Sequence, residues 1–422
     1  MRVKLDKLVF GGQALGRVDD KAVFVWNALP GEEVEVELKK NKHNFAEGVA
    51  KEIINRSLER LEPQEDHFLS CSPWQIMNFA TENKWKVEMS KETYQKFAGL
   101  TASHLEIVSD GVEYGYRNKM EYSFTQPPLT PPFQGGEISL AFFERNGKKH
   151  LAIPKCELAS VAINKVALEL LIWVNENKIP LRSLKTMIVR SNQKGEVLAG
   201  LFIKDRLEFN DYPKLTNNLV GLTIYYSTHK SPASVPTAVL YKIGQDYLEE
   251  DLFGISLRYG LFSFFQINVP IFKQALAEIK NHLTDDDKVV DYYSGVGSIG
   301  LPVGARELVE SNPEAVEYAK INIALNKIKA EAVCAPSEKM VELITAEKTL
   351  IFDPPRAGLD KRVVEQVLSK LPKKIIYLSC DIATQARDLG LLQEKYKVKF
   401  LKLFNFFPRT AHIEGLCVLE KK

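Results

Sequence analysis

The sequence predicts an α/β protein with a Rossmann-like C-terminal domain, an N-terminal OB-like β-barrel and a mixed α+β segment between them. Three observations carry this. From about Phe262 onward, helical and strand-like runs alternate, which is the rhythm of a parallel sheet covered by helices on both faces. The first 55 residues are short alternating stretches broken by Gly11-Gly12, Gly16 and Pro30-Gly31. The segment between them mixes both patterns. The boundaries are drawn at 1–55, 56–260 and 261–422, three units for a 422-residue chain at roughly 100–200 residues per domain.

In the first unit, Lys39, Lys40, Lys42 and His43 cluster at one turn. On a small barrel such a cluster either grips a phosphate backbone or is a solvated turn. The second unit opens with a helix over 83–100, then strands over 114–125 and 138–145. Between those strands, QPPLTPPFQGG holds four prolines and two glycines, a composition that predicts a mobile surface loop. A helix over 161–177 and several strands follow to about Tyr259. In the third unit the pattern predicts helices at 269–282, 313–326, 361–371 and 384–394. Strands are predicted at 289–292, 307–310, 349–353 and 375–379, with a terminal strand at 415–420.

Net charge is only +2, so any polyanionic partner must be held by local patches. No apolar run approaches the ~18 residues of a membrane helix, and MRVKLDKLVFGG lacks a signal-peptide core. A cytoplasmic protein with no membrane partner is expected. Five scattered cysteines, an odd number, point to free thiols in a reducing compartment.

The third unit carries the chemistry. A strand ends in Asp291 and runs into Tyr292-Tyr293-Ser294-Gly295-Val-Gly297-Ser298. At the carboxyl end of a strand, glycines let a ligand approach the backbone. Glu310 lies 19 residues beyond Asp291, where an acid accepts bonds from ribose hydroxyls. Alone this is a weak signal. The acid directly before the glycines resembles the S-adenosylmethionine loop of class I methyltransferases more than a dinucleotide site. Asp353-Pro-Pro-Arg356 ends another strand as a rigid turn. An aromatic after the prolines would mark amino-group methylation, but an arginine follows. Cys380 ends the strand at 375–379. A cysteine is ordinarily a small buried filler, whereas a strand's carboxyl end opens onto the cleft. His412 and Glu414 alternate in an extended segment.

Taken together, Phe264-Phe-Gln266-x-Asn268, Asp291 with Gly295-x-Gly297, Asp353-Pro-Pro-Arg356-x-Gly358, Leu378-Ser-Cys380 and Phe407-Pro-x-Thr-x-His412-x-Glu414 resemble, in order, the RNA 5-methyluridine methyltransferase family. Tyr116-Arg-Asn-Lys119 resembles a further family motif, and the barrel resembles that family's RNA-binding TRAM domain. The resemblance implies a Rossmann-like class I methyltransferase domain using S-adenosyl-L-methionine. It implies an RNA partner, ribosomal RNA ahead of transfer RNA. It implies Cys380 as nucleophile toward uracil C6 and Glu414 as the base that removes the C5 proton. By position, Gln266, Tyr293, Ser298, Glu310 and Asp353 match cofactor contacts. RNA cytosine-C5 enzymes generally carry a second cysteine where Pro355 stands, so uridine is expected.

Two departures stand out. Many family members hold a four-iron cluster on four cysteines, whereas here Cys71 and the distant Cys156 alone occupy that region, so no iron–sulfur cluster and no metal are expected. The usual Asn-Pro after the nucleophile is Asp381-Ile382. The rival readings are an RNA-binding protein that keeps the fold without catalysis, and a methyltransferase of another substrate, which would have no use for Cys380.

Overall fold

The computed structural model describes residues 1–127, 136–145 and 147–422; most of the proline-rich loop lies outside the described residues. The barrel is five strands: β1 (Arg2–Leu8), β2 (Ala14–Val18), β3 (Lys21–Trp26), β4 (Glu33–Asn41) and β5 (Phe45–Asn55). They close in the order β1-β2-β3-β5-β4. Alternate residues such as Val3, Leu5, Val23, Val25, Val34 and Val36 fill its interior, as a period of two requires. Of the basic cluster expected at one turn, Lys39 and Lys40 lie instead at the end of β4, where Lys39 pairs with Glu37 at 2.6 Å and Lys40 with Glu47 at 3.2 Å. Half of that cluster is therefore locally neutralised.

Next come α1 (Phe68–Cys71), α2 (Phe79–Ala98) and β6 (Ile107–Val108). Asn78 caps α2, accepting from the Thr81 amide at 2.8 Å, and Gly99 ends it in a left-handed turn. The middle sheet comprises β7 (Lys119–Thr125), β8 (Ser139–Phe143), β9 (His150–Ile153), β10 (Leu184–Ser191), β11 (Val197–Ile203), β12 (Leu219–Tyr226) and β13 (Ala238–Gly244). Its order is β13-β12-β11-β10-β7-β8-β9. Helix α3 (Val161–Glu176) buries Ile163, Val166, Ala167, Leu170 and Val174 against it. A hairpin, β14 (Tyr247–Leu252) with β15 (Ile255–Gly260), leads into the last unit.

That unit contains α4 (Val269–Asn281), β16 (Lys288–Tyr292), α5 (Gly300–Val303), β17 (Glu307–Glu310), α6 (Pro313–Leu325) and β18 (Glu331–Cys334). Then follow β19 (Lys348–Phe352), α7 (Lys361–Lys370), β20 (Lys374–Ser379), α8 (Ile382–Leu392), β21 (Tyr396–Phe404) and β22 (Glu414–Lys421). The eight strands run β18-β17-β16-β19-β20-β22-β21-β6, parallel from β18 to β20. Strand order reverses at β16, so the β16/β19 edge is the topological switch point where open α/β sheets bind ligands.

One difference from the sequence reading is instructive. The sequence pattern places residues 79–108 with the middle unit, but α2 packs on α8, and β6 extends the C-terminal sheet beside β21. Gly390 permits the close approach: a Cβ there would meet the Phe97 carbonyl at 2.8 Å. Two residues of strand are too few to show a period, and the burial partner of α2 lies nearly 300 residues ahead, so local pattern assigns neither. Among the described residues, no helix is long and apolar enough to cross a membrane.

Candidate active site

The carboxyl ends of β16, β19 and β20 present Tyr293, Asp353 and Cys380 along one sheet edge. The next strand, β22, runs antiparallel to β20 with Ser379 opposite Gly415. Cys380 and Glu414 are the next residues along each strand, so the register sets them side by side at the mouth of the sheet. Glu414 opens β22 and Cys380 directly follows β20, so both predicted reacting groups sit at the ends of neighbouring strands, which hold geometry more rigidly than loops.

Charge ties the group together. Glu414 is 2% exposed and its Oε2 makes no hydrogen bond. Burial pushes its carboxyl well above the ordinary range; the Asp353 carboxylate adds to the shift and Arg356 opposes it. Asp353 is pushed up to about 7 by burial. It accepts a long bond, 3.4 Å, from Gln266 Nε2. The half-buried Cys380 thiol is pushed up to about 12 by burial, then by the Glu414 and Asp353 carboxylates. The lone protein thus holds a protonated thiol, and a positive charge beside it is what favours the thiolate.

On the other side of the switch point, Asp291 is fully buried and anchors the glycine turn through the Gly300 amide, 2.8 Å from Oδ2. A Cβ at Gly300 would sit 2.6 Å from that carboxylate. Tyr293, Gly295 and Gly297 all have positive φ, at 62°, 56° and 86°. The non-glycine Tyr293 is held in a sparsely populated conformation. Glu310 braces the turn by accepting from the Gly295 amide at 3.0 Å and the Asn312 amide at 2.7 Å. Helix α5 is a single turn ended by left-handed Gly304, which explains the short run to β17.

These residues fit S-adenosylmethionine. A Cβ built on Gly295 meets nothing within 4 Å, so the turn offers open space at the strand ends. The buried Asp291 Oδ1 and Ser294 Oγ have no hydrogen-bond partner. Tyr293 and Glu310 flank this space, and Ser298 lies buried in the same turn. Gln266 sits instead with Asp353, on the side of Cys380 and Glu414.

His412 is exposed, in the loop before β22 rather than on the strand, so it does not share the buried setting of Glu414. That loop is fastened from three directions. The buried Lys86 of α2 donates to Glu82 Oε1 (2.8 Å), Asn405 Oδ1 (2.7 Å) and the Phe407 carbonyl (3.0 Å). Arg409 pairs with Glu82 and Glu113. The Tyr116 hydroxyl donates to the Pro408 carbonyl at 2.9 Å, and Asn118 Nδ2 to the Gln266 carbonyl at 2.9 Å. Sequence reasoning missed Lys86 and Glu82, whose i, i+4 pairing reads as an ordinary surface salt bridge. It also missed Ser337, whose Oγ donates to the Tyr293 hydroxyl at 2.8 Å. Ser337 follows edge strand β18, four residues that carry too little pattern to be read.

The Asp381 departure is accounted for. Asp381 caps α8, accepting from the Thr384 amide at 2.9 Å, which an asparagine does equally well. Ile382 is 1% exposed in the core under the helix. Asp381→Ala is expected to cost about 1 kcal/mol, and Asp381→Asn almost nothing, in denaturant unfolding.

A cleft of about 470 Å³ opens between the barrel, the middle sheet and the His412 loop, lined by Trp26, Arg117, Phe143, Arg145 and His412. Arg145 stacks over the Trp26 ring at 4.2 Å. Phe264, beside Gln266, is 64% exposed. Cations and aromatic faces in one groove are what single-stranded nucleic acid requires.

Comparison with known proteins agrees with this fold. Residues 339–422 match the family model for tRNA (uracil-5-)-methyltransferase, and residues 1–51 match the TRAM domain. An uncharacterised RNA methyltransferase of Caldanaerobacter subterraneus is 30% identical over 453 residues, covering 99% of this chain and 98% of its own. One from Fusobacterium nucleatum is 29% identical, covering 100% and 96%. The crystal structure of Pyrococcus abyssi tRNA (uracil-54, C5)-methyltransferase with S-adenosyl-L-homocysteine superposes with a TM-score of 0.78 at 23% identity, over 99% of this chain and 100% of that one. The chain therefore belongs to the RNA methyltransferase family of these relatives, with a C-terminal tRNA (uracil-5-)-methyltransferase segment and an N-terminal TRAM domain.

Proposed function

We propose that this protein methylates carbon 5 of one uridine in a cytoplasmic RNA, with Cys380 as nucleophile and Glu414 as general base. The supporting observation is the strand register that sets Cys380 beside Glu414, with Asp353 close enough to shift the pKa of both. Uracil C5 is a poor nucleophile. Addition of the Cys380 thiolate to C6 moves electron density onto C5. S-adenosylmethionine supplies an electrophilic methyl group to that carbon. Glu414 then takes the C5 proton, the C6–sulfur bond breaks, and the thiolate is restored. Arg356 is the cation nearest in effect to both groups and favours their charged forms. Tyr293, Ser298 and Glu310 are assigned to the cofactor, and Gln266 and Asp353 to its boundary with the base.

A stacked base must first be extruded, at a cost of a few kcal/mol that is least in loops. The Arg117 and Arg145 cleft would offset that through backbone contacts. Ribosomal RNA is proposed as the target. Transfer RNA is the second reading, favoured by the family name that residues 339–422 match. Nucleoside analysis of each RNA class from cells with and without the gene decides: 5-methyluridine should vanish at one site. Unchanged 5-methyluridine in both classes would refute the proposal.

A further inference from the structure

A second cluster of reactive side chains lies away from Cys380, where the α1 segment meets the end of the middle sheet. Glu65, His67, Cys71 and Cys156 place one ligand atom each within 4.8 Å of all the others. Three are buried and Cys71 is half-buried. The Glu65 carboxylate is already oriented: Oε1 accepts from the Glu157 amide at 2.6 Å, and Oε2 from Gln75 Nε2 at 2.9 Å. Gln75 is itself held by Ser72 Oγ at 2.7 Å. His67, 5% exposed, turns Nε2 to within 3.1 Å of Glu65 Oε1 yet makes no hydrogen bond. A buried imidazole nitrogen in ion-pair range of a carboxylate and gathered with two thiols is the donor arrangement of a metal site.

We infer that Glu65, His67, Cys71 and Cys156 bind one divalent transition-metal ion of the zinc class. Zinc takes thiolate sulfur at about 2.3 Å and imidazole nitrogen or carboxylate oxygen at about 2.0–2.2 Å. Tetrahedral bonds of those lengths put donor atoms about 3.3–3.8 Å apart, so the cluster needs to contract by only about 1 Å to close on a single ion. A four-iron cluster normally takes four thiolates and spreads them over its corners; two thiols drawn to a common centre suit one ion instead. Four protein donors leave no open position, so the ion is structural. It joins the 65–71 segment to Cys156, 85 residues later in the chain. The same segment carries the Leu69 carbonyl that Arg145 grips, and Cys71 itself lines the cleft. The ion would thus pin one wall of the RNA groove. This metal site is independent of the uridine chemistry and stands or falls separately.

Full-length protein, stripped with chelator under reductant, should be titrated with cobalt chloride. A thiolate-to-cobalt charge-transfer band should saturate at one equivalent per chain and be displaced by one equivalent of zinc chloride. Zinc should protect Cys71 and Cys156, but not the exposed Cys334, from alkylation mapped by mass spectrometry of the unaltered chain. Cys156→Ser should abolish the band. Glu65→Gln, which keeps the size of the side chain, should weaken cobalt binding at least tenfold with an unchanged circular dichroism spectrum. Absence of the band, a band that survives Cys156→Ser, a Cys71–Cys156 disulfide that persists under reductant, or bound iron with acid-labile sulfide would each overturn the inference.

Discussion

Cys380→Ala is expected to lower methyl transfer by at least about 10⁴-fold, while RNA affinity stays within about twofold. Loss of that size corresponds to about 5.5 kcal/mol of transition-state stabilisation. Without addition at C6 there is no other means on this sheet edge to load electron density onto C5. RNA affinity should be spared because phosphate contacts dominate it, and the cleft proposed for RNA is lined by Arg117 and Arg145 and not by the thiol. Truncating one half-buried sulfur falls within the ordinary range of about 1 kcal/mol, so the variant should remain folded. Incubation with RNA carrying 5-fluorouridine gives a second readout. Fluorine cannot leave as a proton does, so the native protein should be trapped as a covalent adduct and the alanine variant should not. Full activity in Cys380→Ala would transfer the case to an amine-methylating enzyme.

Glu414→Gln is expected to act at a different point. In the proposed mechanism addition and methyl transfer precede proton removal, so this variant should accumulate a protein–RNA adduct on ordinary uridine while turnover falls by about 10²–10⁴-fold. It should also change stability in a pH-dependent way. The folded Glu414 carboxyl holds its proton to higher pH than the same group does in the unfolded chain. Between those two values the folded state binds more protons, so this group's contribution to stability is full at acid pH and is lost as pH rises. Asp353, pushed up to about 7, acts in the same direction. The glutamine variant lacks the Glu414 effect, so its Tm should exceed that of the native protein at pH 8 and the gap should narrow toward pH 5. A gap independent of pH would mean that Glu414 is not buried as described.

Much of the site was legible in the sequence because sheet strands deliver residues by local rules. The apolar run into Asp291, the prolines after Asp353 and the cysteine after Ser379 each mark a strand's carboxyl end, and parallel pairing brings those ends together. Helix limits such as Pro313–Leu325 follow from caps and prolines within a few residues of the boundary. What was not legible depends on partners far along the chain. Lys86 is neutral to any local reading, and only its encounter with Asn405 and the Phe407 carbonyl makes it a tether of the loop before Glu414. The sequence groups Cys71 with Cys156 only as the two cysteines left in the cluster region, and the fold adds Glu65 and His67, neither of which a cysteine count would notice. Strand β21 was a different kind of miss: Tyr396–Phe404 alternates lysine and apolar residues as a half-exposed strand should.

Helix α2 touches all three parts of the molecule. Lys7 of the barrel pairs with Glu92 at 2.7 Å, Tyr94 donates to Gln385 of α8 at 2.5 Å, and Arg409 couples Glu82 to Glu113 just ahead of the middle sheet. Gly12 of the barrel meets the same loop so closely that a Cβ would lie 2.4 Å from Ala411. A brace of this kind works like the frame of a caliper: the span between the jaws is preset. For the RNA proposed above, a preset span would favour a target nucleotide already swung out over one stacked in a regular duplex.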